Sequence, residues 1–273
     1  MEYKFQIFVP GGNDTALVYD MNECLEESDR KAIDAQIRDM HENVEQVGFV
    51  GTVNAERPWL NMAGGEFCGN ATRAAAWYYL QGKPGCIEIA VSGVPYKLNA
   101  GVKNTSEAWA QIPVRDKKAI EDGIYLVELE GIFHIAIMQE QSKKYLAVLS
   151  ESPMEDAEAK LKSLAKNILA QYDLLKEAAA GVMFLENFGD SLKMHPIVHV
   201  QKTQTLYYET ACGSGTAAVG VALLSQAAGK AEISILQPSM QAINVTVDHR
   251  DASTYVEITG MIDVDKNVYR LTQ

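Results

Sequence analysis

No stretch of this chain stays apolar for long enough to cross a bilayer. Its opening residues, Met1-Glu-Tyr-Lys-Phe-Gln-Ile-Phe, alternate polar and apolar as a strand does and lack the apolar core of a secretion signal. A cytoplasmic protein without a membrane partner is expected. Positive charge is also in short supply: 24 Lys and Arg against 36 Asp and Glu leave a net charge of −12, which argues against nucleic acid or an anionic membrane surface as the main partner. Cysteine is scarce. Cys24, Cys68, Cys86 and Cys212 are widely separated and form no Cys-x-x-Cys pair, so zinc ribbons and thioredoxin chemistry are unsupported and no metal is expected. No lysine motif calls for pyridoxal phosphate, and no cofactor is expected. What remains is an ordinary globular composition, 47% hydrophobic and 22% charged over 273 residues, enough for two modest domains.

One pattern occurs twice. Glu66-Phe-Cys-Gly-Asn-Ala-Thr-Arg-Ala-Ala-Ala centres on Cys68, and Glu209-Thr-Ala-Cys-Gly-Ser-Gly-Thr-Ala-Ala-Val centres on Cys212. Each runs Cys-Gly, a small polar residue, then Thr and an Ala-rich stretch that favours helix. Each cysteine therefore opens a helix, where free backbone N–H groups and the positive end of the dipole attract a carboxylate and lower a thiol's pKa. Two such starts facing one cavity would hold one carboxylate, through Gly69-Asn70 and Gly213-Ser214, with a sulfur on either side. Opposed thiols can remove a proton from one face of an amino acid's α-carbon and return it to the other, which is racemisation without a cofactor.

The order around each cysteine also repeats: helix, Gly-Lys stop, strand, turn, strand, over Cys68–Leu98 and Cys212–Val247. An internal duplication of this kind predicts two similar α/β domains with a cleft between them. We place the domains at 1–117, with 263–273 returning to the first as a strand, and 118–262. Elsewhere, Glu2–Phe8 and Ala16–Tyr19 read as a hairpin about Gly11-Gly12-Asn13, Ser28 as the N-cap of a helix to Met40, and Val44–Val50 as a strand with Glu45 and Gln46 on opposite faces. Arg115–Lys118 reads as a polar junction and Glu155–Ala178 as one long amphipathic helix with a packing face. Cys24 and Cys86 receive no function. The scattered histidines read as structural or surface residues, and Arg73 as pairing with a surface acid.

The paired motifs Cys68-Gly69-Asn70 and Cys212-Gly213-Ser214-Gly215, with Gly12-Asn13-Asp14 near the start, resemble the diaminopimelate epimerase superfamily of cofactor-independent racemases along the whole chain. The resemblance implies an α+β fold of two pseudo-symmetric domains, each a curved, antiparallel-rich sheet wrapped around a central helix. It implies Cys68 and Cys212 as acid/base thiols, and Asn13, Gln46 and Asn61 as site-lining residues. Residues that hold the distal end of diaminopimelate are missing: Tyr207-Tyr208-Glu209 contains no Arg, and Gly131-Ile132-Phe133-His134 has lost an Asn. A buried distal carboxylate would lack its partners there. The patterns Glu45-Gln46-Val47-Gly48-Phe49 and Gly65-Glu66-Phe67-Cys68 are closer to the histidine racemases of staphylopine-type metallophore pathways. That likeness implies an amino-acid substrate, histidine first. It makes Glu45 a candidate imidazole partner within a site that also includes Glu209, and Ile132, Phe133 and Tyr207 an apolar wall for the ring. Diaminopimelate epimerase, a phenazine-biosynthesis-type isomerase and a non-catalytic amino-acid-binding protein are the alternatives. The oligomeric state stays open, a homodimer included.

Overall fold

A computed structural model describes residues 2–21, 25–151, 153–224, 229–250 and 253–272. Cys24 and Ala228 lie outside the described residues. The architecture is mixed α+β and rich in strands.

β1 (Glu2–Pro10) and β2 (Asp14–Met21) form the expected antiparallel hairpin. Its turn uses Gly11 and Gly12 at φ 69° and 92°. Gly12 is required on two counts, because a Cβ there would also fall 2.3 Å from Ser239 Cβ. Helix α1 (Glu27–Met40) buries Ile33, Asp34 and Ile37 and carries the chain to β3 (Val44–Gly51), parallel to β2. It starts earlier than expected. Glu26 is the N-cap, no side chain caps it, and Ser28 stands inside the first turn, where Glu27 and Asp29 face the positive end of the dipole. β4 (Trp59–Met62) pairs antiparallel with β3, and α2 (Gly69–Leu80) leads to β5 (Gly85–Val91), β6 (Lys97–Asn104) and β7 (Glu107–Ile112). β5 runs parallel to β4, and β6 and β7 follow antiparallel.

The expected junction at Arg115–Lys118 is instead part of a strand, β8 (Val114–Glu121), paired with β9 (Ile124–Leu129). Most of its side chains are exposed, and a charged strand of this kind suits a sheet edge. β10 (Ile132–Ile137) follows, then two short helices that sequence patterning missed, α3 (Gln139–Leu146) and α4 (Val148–Glu151). Helix α5 (Met154–Gln171) packs Leu161, Ala165, Ile168 and Leu169 inward. It stops seven residues short of the expected Ala178: Asp173 takes a left-handed φ of 59° and Leu174 N–H bonds Leu169 O. β11 (Ala179–Phe188) lies parallel to β10 and antiparallel to β12 (Ser191–Val200), which pairs with β13 (Thr205–Tyr208). Helix α6 (Gly213–Leu224) precedes β14 (Lys230–Leu236), β15 (Ala242–Arg250), β16 (Ser253–Val264) and β17 (Tyr269–Thr272).

Pairing closes the early strands on themselves. β1 to β7 pair in succession, and β16 pairs with both β7 and β1. β16 also pairs with β15, so one strand serves both stretches of sheet. The C-terminal β17 returns to β1, with Tyr3 opposite Leu271. α2 packs inside the early strands, and α6 packs against β9, β10, β14, β15 and β16. Composition explains much of this: the small residues of α6 and of Ala71 and Ala74 to Ala76 in α2 add little bulk, so strands approach closely from several sides. From Gly213 to Ala222 every residue of α6 is buried, as is every residue from Gly69 to Ala76 in α2.

Candidate active site

The two cysteines are held alike. Cys68 is the N-cap of α2, with an extended backbone at φ −136° and ψ 114°. Its sulfur accepts the Ala71 N–H at 3.3 Å, and its carbonyl accepts the Thr72 N–H at 3.0 Å and the Thr72 hydroxyl at 2.7 Å. Cys212 repeats every contact at the start of α6: Gly215 N–H to sulfur at 3.3 Å, then Thr216 N–H and hydroxyl to carbonyl at 3.0 and 2.7 Å. Each sulfur does what a serine or threonine oxygen does at a helix start. Both cysteines are buried.

The two helix starts also touch. A Cβ on Gly69 would stand 3.4 Å from the Gly213 carbonyl carbon, and one on Gly213 would stand 2.8 Å from Asn70 Oδ1. Asn70 ties them together, donating from Nδ2 to Ala211 O at 2.8 Å while its Oδ1 accepts from Arg73 Nη2 at 2.8 Å. Gly69, Asn70, Gly213 and Ser214 line one cavity with both cysteines. Two helix N-termini therefore converge on a single space, a favourable place for an anion.

A polar chain crosses between the sulfurs. Cys68 Sγ donates to Gln46 Oε1, Gln46 Nε2 donates to Glu209 Oε1 at 2.9 Å, and the charge of Glu209 acts on Cys212. The orientation of the Gln46 amide makes Cys68 a protonated thiol here. Behind Cys212, Ser214 Oγ lies 3.6 Å from the sulfur and 2.9 Å from His134 Nε2. His134 is fully buried, and burial pushes its pKa down to about 3, so it is neutral.

The expectation that the helix starts depress the thiol pKa values is overturned. Burial pushes both thiols well up, and the first-turn N–H groups only oppose it. Carboxyls move the same way. Burial lifts Glu209 and Glu66 to about 7 each, and lifts Glu45 to about 8 with help from the nearby Glu209. The expected apolar wall is present only in part. Ile132 and Tyr207 line the cavity, but Phe133 packs in the core beneath α5. Asp34, Glu45, Glu66 and Glu209 give the cavity an acidic lining instead.

Other residues take less expected places. Asn13 is fully buried and donates to Glu45 Oε2 at 2.7 Å, while its Oδ1 accepts from Thr15. Glu45 is further held by the Thr210 N–H at 3.1 and 3.2 Å and by the Thr210 hydroxyl. Asn61 sits on β4 opposite Phe49, outside the cavity lining. Arg73 meets no surface acid. It is completely buried, bonds Asn70, leaves Nε and Nη1 without partners, and burial lowers its pKa to about 10. Arg38 was missed: it clamps Asp34 at 2.9 Å, the Val44 and Glu45 carbonyls, and the Tyr207 hydroxyl at 2.9 Å. Its only sequence signal was the i, i+4 spacing from Asp34 beside the buried Ile33 and Ile37.

Residues 2–267 match the family model described as the histidine racemase CntK N-terminal domain. The chain belongs to the histidine racemase family. A histidine racemase of Fusobacterium nucleatum subsp. nucleatum is 29% identical over 225 residues, covering 77% of each protein. One from Staphylococcus aureus is 23% identical over 231 residues, 80% of this chain and 78% of that protein. Among solved structures, a hydroxyproline epimerase from Agrobacterium vitis with bound trans-4-hydroxy-L-proline superposes with a TM-score of 0.63 at 10% identity, over 99% of this chain and 92% of that one. A methylitaconate-delta-isomerase superposes at 0.54 and 12% identity, over 99% and 96%. At such identities these neighbours show the fold alone. Among the described residues no helix is long and apolar enough to cross a membrane, and no cluster of three or more His, Cys, Asp or Glu is arranged to hold a metal.

Proposed function

We propose that this protein interconverts L- and D-histidine by moving the α-proton between Cys68 and Cys212, with no cofactor. The observation that carries the reading is the pair of buried thiols at two converging helix starts on one cavity, with Cys68 bonded through Gln46 to Glu209. The substrate α-carboxylate sits against the first turns at Gly69-Asn70 and Gly213-Ser214. Negative charge grows on that carboxylate as the proton leaves, and the preorganised N–H groups stabilise it. Asn70 keeps the two starts in register and Asn13 fixes Glu45. Asn61 belongs to the wall of β3 and β4 behind them.

Both thiols are protonated in the empty site, so one proton must leave before either can act as a base. Glu209, ionised above pH about 7 and next to Cys212, is placed to accept it once bound substrate has lowered the thiol. An arriving ammonium group sets a positive charge against these carboxyls, which offsets the smaller part of the thiol shifts that comes from the charge of Glu209. The thiolate and thiol then exchange roles with the hand of the substrate, and the pair titrates as a unit.

We also propose that the chain divides into two pseudo-symmetric halves, 1–117 joined by 263–273, and 118–262, each with its cysteine helix at the centre. The return of β17 to β1 supports this, as do the matching crossovers, α1 between parallel β2 and β3, and α3 to α5 between parallel β10 and β11. The test of function is α-proton exchange of L-histidine in D₂O. Wild-type protein should exchange it, and Cys68→Ser and Cys212→Ser should each abolish D-histidine formation. Near-wild-type turnover by either variant would reject the two-thiol reading.

A further inference from the structure

Two carboxyl oxygens in the cavity, Glu66 Oε2 and Glu209 Oε2, are buried without any hydrogen-bond partner. Glu209 stands beside Cys212 and belongs to the reacting centre. Glu66 does not. Its Oε2 lies over Gly64, where a Cβ would come within 2.5 Å of that oxygen and 2.9 Å of Val200 Cγ1. The missing side chain at Gly64 is what gives the carboxyl its room, and it faces the end of the cavity lined by Asp34, Arg38 and Val200.

The other acids at this end are already committed. Asp34 accepts from Arg38 Nε at 2.9 Å, so those two charges cancel. Glu45 is bound by Asn13 and Thr210 through both its oxygens. Around the Glu66 carboxyl the charge of Asp34 works against ionisation and those of Arg38 and Arg30 for it, but none of them gives Oε2 a hydrogen bond. A buried acceptor with no donor is unfavourable until a ligand supplies one. Glu66 lines the same cavity as Cys68 and Cys212, so a side chain attached to an α-carbon held between the sulfurs shares that space with its free oxygen.

We propose that Glu66 Oε2 accepts a hydrogen bond from the ring N–H of the substrate's imidazole and so sets the enzyme's preference for a nitrogen heteroaromatic side chain over one ending in a carboxylate. Glu66 is thus a specificity residue rather than part of the proton relay. This assignment rests on the racemase reading of the same cavity. It replaces Glu45, whose oxygens are occupied, as the imidazole partner. A distal carboxylate at this place would meet Glu66 as a like charge.

The test compares L-histidine with L-β-(2-thienyl)alanine, whose five-membered ring has similar size but no N–H. Each is measured by α-proton exchange or, where exchange is slow, as an inhibitor of histidine exchange, with wild type and with Glu66→Gln. A charge-assisted bond lost from one substrate alone predicts that kcat/KM for histidine falls about 10- to 100-fold, mainly through KM. The value for the thienyl analogue should change less than about threefold, because its ring offers no N–H for Glu66 to accept. Far-UV spectra and melting curves show whether the variant is folded, and Glu66→Asp, which keeps the charge, should retain more histidine activity than Glu66→Gln. Equal losses for both substrates would overturn the proposal, because Glu66 would then act at the reacting centre or in packing. No loss for histidine would overturn it as well. Failure of the wild type to exchange L-histidine at all would reject the functional reading itself, a separate result from either of these.

Discussion

Replacing Glu209 with Gln should make the empty protein more stable at pH 8, at the expense of its activity. The folded protein holds the Glu209 proton up to pH about 7, mainly because the carboxyl is buried, whereas an ordinary glutamate releases it near 4.5. Between those values the folded state binds more protons than the unfolded state, so stability falls as pH rises from 4.5 to 7 and levels off above. The gap corresponds to about 3 kcal/mol at pH 8. Glutamine cannot ionise and escapes this loss, while its carbonyl still accepts the Gln46 Nε2 bond that Glu209 Oε1 now takes. Urea unfolding at pH 5 and pH 8 should show the variant gaining about 3 kcal/mol on wild type at pH 8, a rise in Tm on the order of 5–10 °C, and little at pH 5. The reasoning is refuted if the variant is no more stable than wild type at pH 8, or if both lose stability equally between pH 5 and 8.

Two further substitutions probe the helix starts. Gly213→Ala would bring a Cβ within 2.6 Å of Ile258 Cδ1 and 2.8 Å of Asn70 Oδ1, whereas Gly69→Ala meets nothing closer than 3.1 Å. The first should cost about 1–3 kcal/mol and slow exchange at least tenfold, and the second should do less of both; equal effects in urea melts and exchange rates would count against the close approach of the two starts. Arg73→Met removes the buried cation whose charge acts on Cys68, and should shift the pH profile of Cys68 alkylation by iodoacetamide upward. An unchanged profile would mean that Arg73 serves packing alone.

The repeated motif makes the heart of the site legible in the amino-acid sequence. Capping chemistry is local: Cys-Gly, a small polar residue and Thr specify the helix start within five residues, and both starts form as expected. Alternation also locates most strands. The errors arise where tertiary packing overrides local pattern. Arg73 reads as a surface residue because charge on an Ala-rich helix is ordinarily solvated, yet α2 is walled by strands and has no solvated face near it. The charged run at Arg115–Lys118 hides an edge strand whose pairing with β9 is a long-range property of the sheet. The upward shift of Cys68 comes from burial in the folded cavity and from the charge of Glu209, distant in sequence, neither of which the motif around Cys68 records. Phe133 lies in a short apolar strand, and period two alone does not say which of its faces meets the cavity.

The most direct test of the two-thiol claim is the position of deuterium at early times when L-histidine is converted in D₂O. Opposed bases remove a proton from one face and deliver solvent deuterium from the other. The D-histidine first formed should carry deuterium at the α-carbon while the remaining L-histidine stays protiated. If recovered L-histidine gains deuterium as fast as D-histidine appears, a single base serves both faces and the assignment of Cys68 and Cys212 to opposite sides is wrong.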